Sequence, residues 1–354
     1  MKRESYNQTV KDKYEKKTEL IVSDLPLFIQ LYFDANFEKM SYKTLLGYAY
    51  DIQKFLNWLK NDSYEFYKRI GDITASDFSM VESHDIERYI LFLQSDDTKH
   101  INSAVSIRRK ISSLSSIYNF LCDHFYVDEN PCKDVEYPDI VVPDNNVLLS
   151  TQVSSLLDII AKLDNYSDKQ KAYIDKTKER DFTIIALLLF TGIRINECVE
   201  LDVNSINFNN KTLRVNRGAD IFLPISDRMI EILEKYKKNR DKIESQDKAL
   251  FLSMQNKRMC TQAIEDMIKK YGKQAKLPFA LTPKIFRHSF AAELYNITAN
   301  ADLINSYLGK RKVTEIKILI NHLSQDNKTL IYKSINDVYK DALVVFPENS
   351  EFQD

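Results

Sequence analysis

A scarcity of chain-breaking residues constrains this sequence more than any other feature: 354 residues carry only six glycines and eight prolines. Tight turns lean on those two residue types, so the chain is expected to run in long helices. Hydrophobic periodicity agrees. In 41–60, SYKTLLGYAYDIQKFLNWLK, Leu45, Tyr48, Ile52, Phe55, Leu56 and Leu59 recur at three- and four-residue steps and form one apolar stripe. A second helix is predicted over 83–95, opening on Ser83 with Ile86, Tyr89, Ile90 and Leu93 inward. A third is predicted over 103–124, burying Val105, Ile111, Leu114, Ile117, Tyr118 and Leu121. Asn130-Pro131 then stops regular structure, and 133–149, KDVEYPDIVVPDNNVLL, holds two prolines and no helical period.

The second half opens with a helix over about 151–163 and a polar stretch to Lys178, then the intensely apolar DFTIIALLLF of 181–190, which belongs deep in a core. Thr191-Gly192 breaks that helix, and a short one resumes through INECVEL. SINF, KTLRVN and DIFLPI read as strands, with Arg217-Gly218 at a hairpin tip. From Asp227 to about 343 the pattern is almost wholly helical. The expected fold is therefore mainly α: an all-helical domain over 1–135, a linker over 136–149, and an α-rich domain over 150–354 with one small antiparallel β-sheet.

A hydrophobic fraction of 44% with 29% charged residues describes a globular rather than a disordered chain. No apolar run approaches a membrane span, and the polar MKRESYNQTVKDKYEKK start lacks a signal peptide's apolar core, so a cytoplasmic protein is expected. Cys122, Cys132, Cys198 and Cys260 share no short spacing and the five histidines are dispersed, so neither a metal nor a cofactor is expected.

The net charge of −1 argues weakly against a polyanionic partner, but the charge is sorted along the chain. Positions 98–122 hold Lys99, Arg108, Arg109 and Lys110 and no acid; positions 267–292 hold Lys269, Lys270, Lys273, Lys276, Lys284 and Arg287 and no acid; Lys310 and Arg311 follow. These stretches fit either solvated helix faces or surfaces for phosphates, and charge alone slightly favours the former. With His288, these cations are the candidates for contact with a nucleic-acid backbone.

Two segments could handle a phosphodiester. Metal-free transfer needs a nucleophile, cations fixed on the non-bridging oxygens, and a proton donor for the leaving oxygen. Arginine suits the second task because its planar fork grips a phosphate while staying charged. TGIRINECVEL sets Arg194 just after a helix break with Glu197 three positions on to orient it, although such pairs are common on helix surfaces. LTPKIFRHSFAAELY is more distinctive: Thr282-Pro283 starts a helix and puts Lys284 and Arg287 one turn apart on a shared face.

Together, TGIRINE and KIFRHSFAAEL resemble the two arginine boxes of the tyrosine recombinases, the phage-integrase and Xer-like family, and the resemblance runs through most of the chain. It implies an N-terminal core-binding domain, a catalytic domain, and cleavage and rejoining of double-stranded DNA through a 3′-phosphotyrosyl intermediate. It further implies a homotetramer on two DNA sites, with a monomer as the free form. Arg194 and Arg287 match the family arginines. Lys284 stands where the family usually has histidine, and Arg217 where it has a hairpin lysine that serves as a general acid candidate; arginine is a poor proton donor but can offset charge. The family's Leu-Gly-His step is followed nine residues later by its nucleophilic tyrosine, but here the step reads Leu308-Gly309-Lys310 and position 319 is leucine. His322, ten residues before Tyr332, preserves the spacing better than Lys310, and TLIYKSIND resembles the family's tyrosine helix. The resemblance thus points to Tyr332 as nucleophile, over Tyr307 and Tyr339, with His322 or Lys310 in the third box. Three readings compete: an active recombinase, a DNA-binding protein whose catalysis has decayed, and a nicking-closing enzyme of the type IB topoisomerase kind.

Overall fold

The computed structural model describes residues 6–63, 69–95, 102–139, 146–162, 168–309, 333–342 and 346–347. The chain divides into two compact units, Met1–Pro143 and Asp144–Asp354.

The first unit is all-helical among its described residues: α1 (Tyr6–Val22), α2 (Leu27–Asn36), α3 (Tyr42–Ser63), a single 3-10 turn (Ile70–Asp72), α4 (Ala75–Ser79), α5 (Ser83–Ser95) and α6 (Ala104–Asp123). The stripes read from the sequence are the ones buried. Leu45, Ile52, Phe55, Leu56 and Leu59 of α3 meet Ile107, Ile111, Leu114, Ile117 and Leu121 of α6 in one core. Phe55, Phe78 and Tyr118 lie at its centre, with Phe78 stacked on Tyr118 at 4.4 Å between ring centroids. Two features differ from expectation. Helices α1 and α2 precede the first periodic segment, α1 being mostly polar, with Thr18, Ile21 and Val22 buried and Tyr14 packed against the core. Val105 is exposed, because the stripe of α6 begins at Ile107.

In the second unit α7 (Ser150–Ala161) and α8 (Asp168–Thr191) precede a short α9 (Ile195–Glu200). Helix α8 is longer than its apolar half suggested, because the polar run before it is helical from Asp168. Every residue from Phe182 to Phe190 is buried. That is possible because α7, α10 (Asp227–Arg240) and α12 (Pro283–Thr298) cover the helix on several sides. Between α9 and α10, β1 (Ile206–Asn207), β2 (Thr212–Asn216) and β3 (Asp220–Pro224) form an antiparallel sheet in the order β1-β2-β3. Its register pairs Leu213 with Leu223 and Val215 with Ile221, so one face is buried while Arg214 and Phe222 point outward. After α10 the expected helical run is interrupted: 241–260 is irregular, held by the isolated bridges Asp202–Ala249 and Leu252–Arg258. Two arginines with buried guanidinium groups stabilise it: Arg240 donates to the Ala249 carbonyl of the loop at 2.9 Å, and Arg258, from within the loop, donates to the Val199 carbonyl of α9 at 2.8 Å. The helices α11 (Thr261–Gln274), α12 and α13 (Ala301–Leu308) follow, and Ile335, Val338, Tyr339 and Ala342 of the described stretch 333–342 join the core.

Candidate active site

Helix α8 ends at Gly192, whose positive φ of 59° turns the chain so that Arg194 becomes the N-cap of α9. A side chain at Gly192 would also stand 2.5 Å from the Phe290 ring, so close packing excludes one. The Arg194 backbone N–H donates to Glu197 Oε2 at 2.9 Å and its Nη1 to Oε1 at 2.8 Å, the orientation expected from their spacing. Thr282 caps α12 by accepting from the Ile285 N–H, with Pro283 in the first turn. One turn on, Arg287 Nη1 donates to the Gly192 carbonyl at 2.7 Å. The two arginine segments, distant in sequence, therefore meet at the Gly192 turn.

A third arginine joins them. Arg217, at the β2–β3 tip, is turned inward with its side chain 4% exposed. Its Nε and Nη2 donate to the two Glu197 oxygens at 2.8 and 3.1 Å, and its Nη1 donates to the Tyr307 carbonyl at 2.7 Å. Helix α13 then receives all three arginines on consecutive residues: Arg217 on the Tyr307 carbonyl, Arg287 Nη2 on Leu308, and Arg194 Nη2 on Gly309 at 3.0 Å. A helix C-terminus offers unpaired carbonyls and a partial negative charge, so it suits guanidinium groups. Gly309 has a φ of 66°, and a side chain there would lie 2.9 Å from Arg217 Nη1.

The electrostatics follow from three guanidinium groups around one carboxylate. Burial by itself would raise the Glu197 carboxyl, but the hydrogen bonds and charge of Arg217, with those of Arg194, hold it below the usual range. Burial, then the nearby Arg194 charge, pushes Arg287 down to about 10, which leaves it charged at neutral pH. A guanidinium has five N–H donors. Among the described residues the bonds above use two side-chain N–H groups each of Arg194 and Arg287, leaving three on each for an anion. Arg194 is 44% exposed at its side chain, so that anion can arrive from solvent.

Lys284 is exposed on the first turn of α12, and His288 is half-buried beside Arg287. Lys269, Lys270, Lys273 and Lys276 are exposed on α11 and just after it, and Lys270 lies over the Tyr271 ring at 5.1 Å. In the first unit the basic cluster of α6 is engaged locally. Arg109 grips the buried Asp51 through two bonds of 2.6 and 2.7 Å, Lys110 reaches the same carboxylate at 3.3 Å, and Arg108 lies over the Tyr137 ring at 5.3 Å. Lys99, Lys310, Arg311, His322 and Tyr332 lie outside the described residues.

The competing tyrosines are in the core. Tyr307 donates its hydroxyl to the Pro224 carbonyl at 3.1 Å and Tyr339 to the Leu148 carbonyl at 3.4 Å. Burial pushes both phenols up from their ordinary value, which opposes nucleophilic use. Sequence reasoning found Arg194, Glu197 and Arg287 but missed the backbone half of the site: the Gly192, Tyr307, Leu308 and Gly309 carbonyls. The signal available was the glycine that closes each of the two helices.

Comparison with known proteins adds three findings. The phage integrase family model matches residues 146–325, a segment that contains Arg194, Arg217, Lys284 and Arg287 and ends before Tyr332. The tyrosine recombinase XerS of Streptococcus equi subsp. zooepidemicus (strain MGCS10565) is 29% identical over 336 residues, covering 86% of this chain and 94% of the relative. That of Streptococcus pyogenes serotype M2 (strain MGAS10270) is 28% identical over 345 residues, covering 88% and 96%. Among solved structures, the Tn1549 transposon integrase in complex with circular intermediate DNA shares the fold at a TM-score of 0.61 and 20% identity, over 86% of this chain and 98% of that one. A lambda integrase dimer bound to a COC′ core site shares it at 0.56 and 14%, over 81% and 95%.

Proposed function

This chain belongs to the phage integrase family of tyrosine recombinases, and from that premise we propose that it cleaves and rejoins double-stranded DNA at a specific site, without metal or cofactor. The observation that carries the reading is the meeting of Arg194 and Arg287 at the Gly192 turn, each with N–H groups left over. Two such forks suit the two non-bridging oxygens of one phosphodiester, and they offset charge as the phosphorus becomes five-coordinate. Tyr332 attacks the phosphorus in line. Its phenolic oxygen gives up its proton as it gains the bond to phosphorus, the bond to the 5′-oxygen breaks, and that oxygen takes up a proton and leaves as a hydroxyl, so no net proton is gained or lost. The 3′-phosphotyrosyl linkage conserves the bond energy, so a 5′-hydroxyl from a partner strand reverses the step. Lys284, with His322 or Lys310, supplies further charge and the proton. The exposed lysines of α11 contact the DNA backbone, and the working form is a homotetramer on two sites, as the family resemblance implies.

Two observations favour a second reading, a DNA-binding protein whose catalysis has decayed. Arg217, at the place of the family's hairpin lysine, is turned away from solvent, and the family match stops before Tyr332. One experiment separates the two. The purified chain is incubated with sheared chromosomal DNA from its source and denatured, and covalently attached DNA is recovered, with Tyr332→Phe alongside. An adduct in the parent that disappears in the variant is expected. An adduct that persists moves the nucleophile to another tyrosine. Tight binding with no adduct from either protein selects the decayed reading.

A further inference from the structure

We propose that Arg217 is a positioning residue, one that ties the Glu197–Arg194 pair to the C-terminal end of α13 and takes no direct part at the phosphate. The inference rests on the recombinase reading for its consequence, though not for its geometry.

Four observations carry it. Three of Arg217's five N–H groups are committed inside the protein, to both oxygens of Glu197 and to the Tyr307 carbonyl, and its side chain is 4% exposed. A group in that position has little freedom to reach a bound phosphate. Glu197 in turn accepts four hydrogen bonds, two from Arg217 and two from Arg194, so removing Arg217 leaves a buried carboxylate with half its donors. The Tyr307 carbonyl that Arg217 holds is followed directly by the Leu308 and Gly309 carbonyls that hold Arg287 and Arg194. Finally, Gly309 has no side chain at the point where Arg217 passes, and any Cβ there would come within 2.9 Å of it. Arg217 is thus the brace that keeps three elements, the β2–β3 hairpin, α9 and α13, at the spacing the other two arginines need. A lysine there has one nitrogen and cannot serve two carboxylate oxygens and a carbonyl with a planar fork.

A sign test distinguishes this from a phosphate contact. Affinity for a duplex of random sequence is measured across salt concentrations for the parent, Arg217→Met, Glu197→Gln and the double variant. Melting temperature is followed in parallel. If Arg217 acts through Glu197, each single substitution weakens binding severalfold and lowers the melting temperature. Glu197→Gln then has the opposite sign when added to Arg217→Met, because it removes the unpaired buried carboxylate. The conservative Arg217→Lys should fall between parent and Arg217→Met. If Arg217 instead touches phosphate, Glu197→Gln acts alike in both backgrounds, and Arg217→Met lowers the slope of log affinity against log salt by about 0.9 even where melting is unchanged. That result overturns the proposal. Failure of the parent to bind duplex would sink the recombinase reading instead, and the reversal of sign in melting temperature then decides the tie between Arg217 and Glu197 by itself.

Discussion

Glu197 is the residue on which the candidate site turns, because its carboxylate sits 5% exposed among three cations. Its folded-state pKa is held below the ordinary value of 4.5, so its contribution to stability is fully present above about that pH and is lost as pH falls through the depressed value. Thermal melts of the parent and Glu197→Gln should therefore differ most near neutrality and converge as the pH drops below 4.5. A gap that stayed constant into acid would mean that the charge of Glu197 contributes nothing. The partnership of Arg194 and Glu197 was legible in the sequence, because residues three apart at a helix start must lie side by side. The place of Arg217 was not. By the family resemblance it stands for the hairpin lysine near the reacting phosphate, and only the tertiary approach of α13 shows that its side chain turns inward. Hydrogen bonds to backbone carbonyls leave no mark on residue type, so the Leu308 and Tyr307 contacts were invisible for the same reason.

At the level of elements, periodicity identified α3, α5, α6 and the sheet because each buries one face only, which writes a regular stripe. It failed where the environment is not one-sided. The apolar half of α8 was plain, but its start was read only as a polar stretch, because it carries no apolar stripe. The segment 241–260 read as helix because its polarity resembles a solvated helix, whereas Arg240 satisfies carbonyls of the loop and Arg258 ties it to the end of α9 without one. The packing of α3 on α6 depends on a similar device. Asp51 is 2% exposed on α3 and takes bonds from Arg109, Lys110 and Ser113 of α6. Arg109→Met removes two of these charge-assisted bonds and should cost about 2 kcal/mol in chemical denaturation. Arg108→Met, which loses only a ring contact and one longer bond of 3.3 Å at an exposed site, should cost well under half of that. Equal effects would show that the Asp51 cluster is not what holds the two helices.

At the scale of the whole molecule, the described residues form one hydrophobic core in each unit. In the second, Leu148 is drawn in by a bond from its N–H to Ser289 Oγ at 2.8 Å and by the Tyr339 hydroxyl on its carbonyl. We therefore expect residues 144–354 made alone to fold, with a cooperative melt and the helical circular dichroism of the full chain's second unit. A molten product with no sigmoidal transition would show that this core needs the first 143 residues.

The three carbonyls at the end of α13 also fix a chain length. Each residue advances an α-helix by about 100° and 1.5 Å, so deleting or adding one between Ala301 and Leu308 would rotate every carbonyl away from its arginine at once. The stretch before Gly309 can therefore change its letters but not its count.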